Sequence, residues 1–176
     1  MILSDTDITF LIESGNLRIE PFSPEDIRES SIKLHLAPKL LKYRENIVAD
    51  LKDDSTFITE EIILPVSGYI MKPDEFLLGS TLEKITIPNG YMGWIETRGS
   101  IARAGLQMHL CDAHIDPGSS MNITLQLKNN ANHCVKIYPE FYMVKLYLIK
   151  MTSNSKNVYK GKFQGEMEAG HPIFNQ

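Results

Sequence analysis

Cysteine is scarce in this chain of 176 residues, with only Cys111 and Cys134, so no disulfide framework can be drawn. A reduced, cytoplasmic setting is the expectation. Long apolar runs are missing as well. None approaches the ~20 residues that span a bilayer, which excludes a transmembrane helix and leaves no membrane partner to expect. The opening Met1-Ile2-Leu3-Ser4-Asp5 has no basic region and turns acidic at once, so it does not read as a secretory signal. Excess positive charge is also absent. A net charge of −4 argues against broad binding to nucleic acid, but not against a small phosphorylated ligand, which needs only a few placed cations. There is no G-x-x-x-x-G-K-S/T phosphate loop. The H-x-E and P-C-x-x-C pair of zinc-dependent deaminases is missing too. His109, Cys111 and His114 lie close in sequence, but no second Cys/His pair follows at structural-zinc spacing, so neither zinc nor any other protein-held metal is expected.

What is present has the make-up of one ordinary domain, 43% hydrophobic and 23% charged, long enough to bury a core. Ser4 is placed to cap a helix that brings Ile8, Leu11 and Ile12 to one face and ends at Gly15. Leu17, Ile19 and Pro21 then read as extended, and Pro24 after Ser23 opens a brief helical turn. From Ile32 the period changes to two, with Ile32, Leu34 and Leu36 alternating with Lys33 and His35. Further strands are expected over Thr56–Leu64, Tyr69–Met71, Glu75–Ser80, Glu83–Ile87, Tyr91–Glu96, Asn122–Lys128, Val135–Tyr138 and Tyr142–Ile149. Many short strands with little helix between them predict a mainly β fold, a barrel or sandwich. Residues 1–151 form this β domain and 152–176 a tail. Composition alone reads the polar stretch Thr152–Gly170 as a frayed terminus.

Three stretches can carry chemistry. Arg98-Gly99-Ser100-Ile101-Ala102-Arg103 sets two arginines five positions apart around a short helix-compatible run that Ser100 is placed to cap. The arginines suit bidentate contacts to phosphate oxygens, although solvated arginines on a surface turn would look the same. In Cys111-Asp112-Ala113-His114-Ile115-Asp116-Pro117-Gly118, Asp116 fits either a turn or a contact to a sugar hydroxyl or water. Asp112 is harder to explain as a turn residue. On the strand from Met121 to Lys128, period two places Thr124 and Gln126 on one polar face, where hydroxyl and amide groups can read a nucleobase edge.

The order of these stretches resembles the central motifs of dCTP deaminases, in the dCTP deaminase/dUTPase superfamily. Met1-Ile2-Leu3-Ser4-Asp5, Phe76 with Thr81-Leu82-Glu83, and Tyr138-Pro139 are similar to that family as well. So is Tyr159-Lys160-Gly161-Lys162-Phe163-Gln164-Gly165-Glu166, which stands where the family shows Y-x-G-K-Y-Q-G-Q. The likeness covers nearly the whole chain. It implies a dUTPase-like β-barrel or β-clip assembled as a homotrimer, with sites shared between subunits, and a deoxynucleoside triphosphate carrying Mg²⁺. It further implies that Arg98, Gly99, Ser100, Ile101, Ala102 and Arg103 hold phosphates. Asp116 would contact the deoxyribose, and Thr124, Leu125 and Gln126 would face the base. Lys145 would line the site, and Tyr159, Lys162 and Glu166 would belong to a tail that closes as a lid.

The departures fall at the site. The strand motif ends in Glu in the family and in Gln126 here, and an amide cannot accept a proton from water at neutral pH. Asp112 stands where the family carries a small residue, so a relocated base is one solution, with Asp112 taking the proton and Gln126 orienting the pyrimidine. Lys33 replaces a motif carboxylate, Gly99 a serine, Lys145 a glutamine and Glu166 the final tail glutamine. The expectation is therefore a hydrolase, with catalytic candidates Gln126, Asp112 and Asp116. Three readings follow: dCTP deamination to dUTP, release of pyrophosphate from dUTP, and a nucleotide-binding sensor or subunit without turnover.

Overall fold

The computed structural model describes residues 1–174, so the last two residues of the expected tail lie outside the described residues. Ser4 caps α1 (Asp5–Glu13) by accepting from the Asp7 N–H, and Ile8 and Leu11 face inward as expected. Gly15, at φ 72°, ends it. β1 (Arg18–Glu20) follows, then a 3₁₀ turn at Pro24–Asp26 capped by Ser23. The next elements are β2 (Ile27–Arg28), β3 (Ser31–His35), β4 (Lys39–Tyr43), β5 (Thr59–Ile63) and β6 (Tyr69–Met71). After them come β7 (Phe76–Thr86), β8 (Tyr91–Thr97), α2 (Gly99–Arg103), β9 (Leu106–Gln107) and β10 (His114–Ile115). β11 (Ser120–Asn129), β12 (Val135–Ile137) and β13 (Tyr142–Lys150) complete the set.

Two main sheets result, one ordered β5-β4-β7-β11-β9 with β1 also on β7, the other β10-β8-β13-β3-β2. Both contribute to one apolar core: Leu40, Leu77, Leu125 and Leu127 from the first, Ile32, Leu34, Val144 and Leu146 from the second. The fold is mainly β, as expected, but among the described residues no barrel closes. Each sheet ends in short strands, and an isolated bridge, Leu36 to Thr81, links them.

The expected break between Glu75–Ser80 and Glu83–Ile87 does not exist. β7 is one strand of 11 residues whose pairing with β11 shifts between Asn122 and Thr124. The shift leaves Thr81, Leu82 and Glu83 out of register, and side chains satisfy the freed backbone groups. Asn122 Nδ2 donates to the Thr81 and Leu82 carbonyls at 2.9 and 3.0 Å, and the Ile123 N–H donates to Thr81 Oγ1 at 2.9 Å. This bulge re-aims β11 immediately before Thr124. No helix of the described residues is long and apolar enough to cross a membrane.

Candidate active site

Period two on β11 separates the two faces as the sequence requires. Ile123, Leu125 and Leu127 are buried, whereas Thr124 and Gln126 are half-buried on the other side. Over those polar groups lies a cavity of about 410 Å³. Thr124 and Gln126 line it from β11, Asp112, His114 and Asp116 from the segment around β10, and Tyr159 and Glu166 from the tail. Six of the residues picked from the sequence therefore converge in one chain: Asp112, Asp116, Thr124, Gln126, Tyr159 and Glu166. A larger groove of about 710 Å³ beside α1 contains none of them.

Local geometry fixes each wall. Gly118 takes φ 85°, and a Cβ there would sit 2.6 Å from Val158 Cβ, so the turn after Asp116 requires glycine where the tail crosses it. Asp116 is exposed and faces His114 Nε2 at 3.5 Å. Asp112 is exposed at the rim with φ 64°, a left-handed conformation that Asp tolerates. Gln126 Oε1 accepts from the Leu110 and Cys111 N–H groups at 2.9 and 3.3 Å. Its acceptor is thus occupied, and the Nε2 donors are what it has left to offer.

The tail is tied to β11. Tyr159 N–H donates to the Pro117 carbonyl at 2.8 Å, Gly165 N–H to Ser120 O at 2.9 Å and Asn122 N–H to Glu166 O at 2.9 Å. Gln164 clips the turn with both ends of its amide, accepting from Ser120 N–H and donating to Gly118 O. Farther along, Ala169 is buried against Leu41 and Leu78, and Phe174 N–H donates to Asp54 Oδ1. The frayed terminus that composition favours is corrected by these contacts. Burial raises the Glu166 carboxyl above its ordinary range, opposed by its hydrogen bond from Thr124 and by His171.

The other predicted residues do not line this cavity in the single chain. Arg98 directly follows β8, with its guanidinium 4.5 Å from the Tyr142 ring centre, while Arg103, Gly99, Ser100 and Ala102 are exposed. Ser100 is not the cap of α2. Arg98, whose N–H still pairs with the Met143 carbonyl, holds the cap position between β8 and the helix that begins at Gly99, with no side-chain capping bond. Ile101 packs half-buried on the core, and Leu125 is fully buried, leaving only its backbone to face a ligand. Lys145 pairs across the sheet with Lys33 and Glu96. Lys162 reaches over the Phe163 and Phe174 rings. Sequence reasoning missed the apolar wall of Tyr43, Phe76, Leu78 and Met121, which comes from three distant strands with no shared motif, and also His171 in the tail. Among the described residues, no group of three His, Cys, Asp or Glu is placed to hold a metal ion.

A family model described as dCTP deaminase-like matches residues 2–151. The chain is 37% identical over 175 residues to a dUMP-forming dCTP deaminase of Corynebacterium diphtheriae, covering 94% of this chain and 93% of the relative. It is 35% identical to a dUMP-forming dCTP deaminase of Mycobacterium tuberculosis, covering 94% and 92%. Among solved structures, the fold is similar to the 2'-deoxycytidine 5'-triphosphate deaminase of Agrobacterium tumefaciens, with TM-score 0.67 and 15% identity over 84% of this chain. This chain spans 47% of the length of that one. A dUTPase from phage phi11 of S. aureus shares the fold at TM-score 0.51 and 14% identity, covering 82% and 97%. The resemblance read from the motifs is borne out. The expectation of a hydrolase is corrected by the names of the curated relatives, which are deaminases. Those names also join dCTP consumption to dUMP formation, which the sequence reading had set against each other.

Proposed function

Because this chain belongs to the dCTP deaminase-like family, we propose that it is an enzyme of pyrimidine deoxynucleotide metabolism that converts dCTP to dUMP, releasing ammonia and pyrophosphate. The observation that carries this reading is the convergence of Asp112, Asp116, Thr124, Gln126, Tyr159 and Glu166 on one cavity, in a chain whose curated relatives form dUMP. Thr124, the Leu125 backbone and the Gln126 amide face the base. With its oxygen held by two backbone N–H groups, Gln126 presents Nε2 donors, which suit the acceptors on a pyrimidine edge. Asp116 takes the deoxyribose hydroxyl. Tyr159, Lys162 and Glu166 act from a tail that closes over the nucleotide.

The phosphates fall to Arg98, Ser100, Arg103 and the backbone of Gly99, Ile101 and Ala102, with Lys145 beside them. These groups lie off the cavity lining of one chain, so a second copy in a homotrimer brings them to it. Mg²⁺ arrives on the triphosphate, since Mg²⁺ is commonly held through substrate phosphates with few protein carboxylates. The two free cysteines suit a cytoplasmic enzyme.

The test is to incubate the protein with Mg²⁺ and dCTP and to follow ammonia, pyrophosphate and dUMP separately. Equal amounts of all three are expected. Pyrophosphate without ammonia would overturn the reading. Neither product, with saturable thermal stabilisation by dCTP, would favour a sensor, the alternative that the amide at Gln126 motivates.

A further inference from the structure

Deamination at this site needs a group that takes a proton from water and returns one to the departing nitrogen. Gln126, at the centre of the polar strand face, is an amide whose oxygen already accepts two backbone N–H groups. It cannot do this work. Three carboxylates line the cavity: Asp112, Asp116 and Glu166. Asp116 is exposed and sits opposite His114, and Asp112 is exposed on a left-handed turn at the rim.

Glu166 differs from both. It is half-buried, and Thr124 Oγ1 donates to its Oε2 at 3.5 Å, which sets the carboxylate along the same face of β11 as Gln126. Residues i and i+2 of a strand are about 7 Å apart, so a base seated on Gln126 has this carboxylate as its neighbour. The main chain at Glu166 is held by the Asn122 N–H, and the residue before it by Ser120 O. Main-chain bonds to β11 thereby fix where the tail presents this side chain.

Resting on the dCTP reading, we propose that the Glu166 carboxylate is the catalytic proton-transfer group of this cavity. It accepts a proton from water as the water oxygen bonds to C4 of the cytosine ring and the C4=N3 π pair moves onto N3. The resulting tetrahedral carbon carries both hydroxyl and amino groups. Glu166 then gives the proton to the amino nitrogen. The C4–N bond breaks with its electron pair leaving on nitrogen, and the hydroxyl proton passes to N3 as the C4 carbonyl forms. Cytosine and water become uracil and ammonia, with no oxidant or reductant required. Burial holds Glu166 above the ordinary carboxylate range, closer to the working pH of a proton shuttle. The charged and titratable groups facing it are His171 and Tyr159 from the tail, Asp112, His114 and Asp116 from the β10 segment, and Tyr43 from β4.

The test compares wild type, Glu166→Gln, Glu166→Asp and Asp112→Asn, by ammonia release from dCTP across about pH 5 to 9 and by thermal stabilisation with dCTP. Glu166→Gln should lower kcat for ammonia by about 10²- to 10⁴-fold while dCTP stabilisation persists. Glu166→Asp should retain measurable turnover with a displaced acid limb. Ammonia release by Glu166→Gln within about tenfold of wild type, with the acid limb intact, would overturn the proposal. Loss of dCTP stabilisation together with turnover would overturn it too, because that marks a binding residue. So would abolition by Asp112→Asn while Glu166→Gln still works. Wild type releasing no ammonia defeats the dCTP reading itself, whereas wild type and Glu166→Gln both releasing it defeats only the role of Glu166.

Discussion

The cavity on β11 and the arginine turn after β8 are joined in one run of sequence, yet they are built in opposite ways. On β11, every polar group that faces the cavity is pinned. Gln126 is held by two amides, Thr124 reaches Glu166, and the tail pairs along Ser120 to Asn122. At the arginine turn, Gly99, Ser100, Ala102 and Arg103 face solvent, and Arg98 rests on Tyr142. A strand face at two-residue spacing is complete within one chain. A turn bearing long cations becomes a site only when another surface meets it. Motif order grouped the two regions by ligand, while the fold groups them by the surface each occupies.

The difference can be broken by mutation, most severely at the cations. Arg103→Ala should raise the Kd for dCTP roughly 10- to 100-fold, the loss of one charge-assisted contact to phosphate, with no change in melting temperature of the free protein. Isothermal titration alongside a thermal melt checks this. A large loss of stability instead would mean that the turn is structural.

Next in size is the bulge that aims β11. Thr81→Val keeps the shape but leaves the Ile123 N–H without its acceptor, in a position that is fully buried. Destabilisation of about 1–3 kcal/mol is expected, read as a lowered urea midpoint. This bulge shows where the sequence was legible and where it was not. The alternation on β3 and β11 announced both strands. β7 read as two strands because Thr81, Leu82 and Glu83 interrupt the apolar pattern, but the interruption is a register shift that Asn122 satisfies from across the ladder. β4 escaped altogether. Its adjacent Leu40 and Leu41 break alternation because both of its faces are covered, Leu40 by the main core and Leu41 by Leu78 and the tail residue Ala169.

The site was legible by a different route. Arg98, Asp116, Thr124 and Glu166 were singled out by motif order, and four of the six residues that converge on the cavity come from the stretches around Asp116 and Gln126. Of Tyr43, Phe76 and Leu78 in the apolar wall, only Phe76 lay in a family motif, and Tyr43 and Leu78 left no local mark, since they meet the site only through sheet pairing. Composition misread the tail for a related reason. The tail is held by backbone bonds to β11 and the turn before it, with Ala169 adding a small apolar contact, and neither shows in its composition.

Smaller effects probe that tail and the core beneath it. Gln164→Ala removes the clip on Gly118 and Ser120, and limited proteolysis within residues 152–174 should quicken by about threefold with the β domain resistant. The smallest concerns Glu83, 3% exposed, whose carboxyl burial raises above its ordinary value of 4.5 despite hydrogen bonds from His35. A raised folded-state value means that the folded chain binds the proton more tightly. Its stabilisation is full below 4.5 and is lost as pH rises through the raised value. Wild type should therefore lose melting temperature over that window relative to Glu83→Gln, which lacks the titration. Parallel curves would contradict it.

The sharpest test of the contrast between the two regions mixes chains. Glu166→Gln, nearly inactive alone, and Arg103→Ala, nearly inactive at dCTP concentrations well below its raised Kd, are combined in equal amounts, co-refolded and assayed for ammonia at such a dCTP concentration. If the cavity of one copy takes its phosphate cations from the next, random assembly places an intact pair at about a quarter of the sites, and activity returns to about a quarter of wild type. A mixture no more active than its parts would contradict a site shared between copies and return the arginine turn to a role within its own chain.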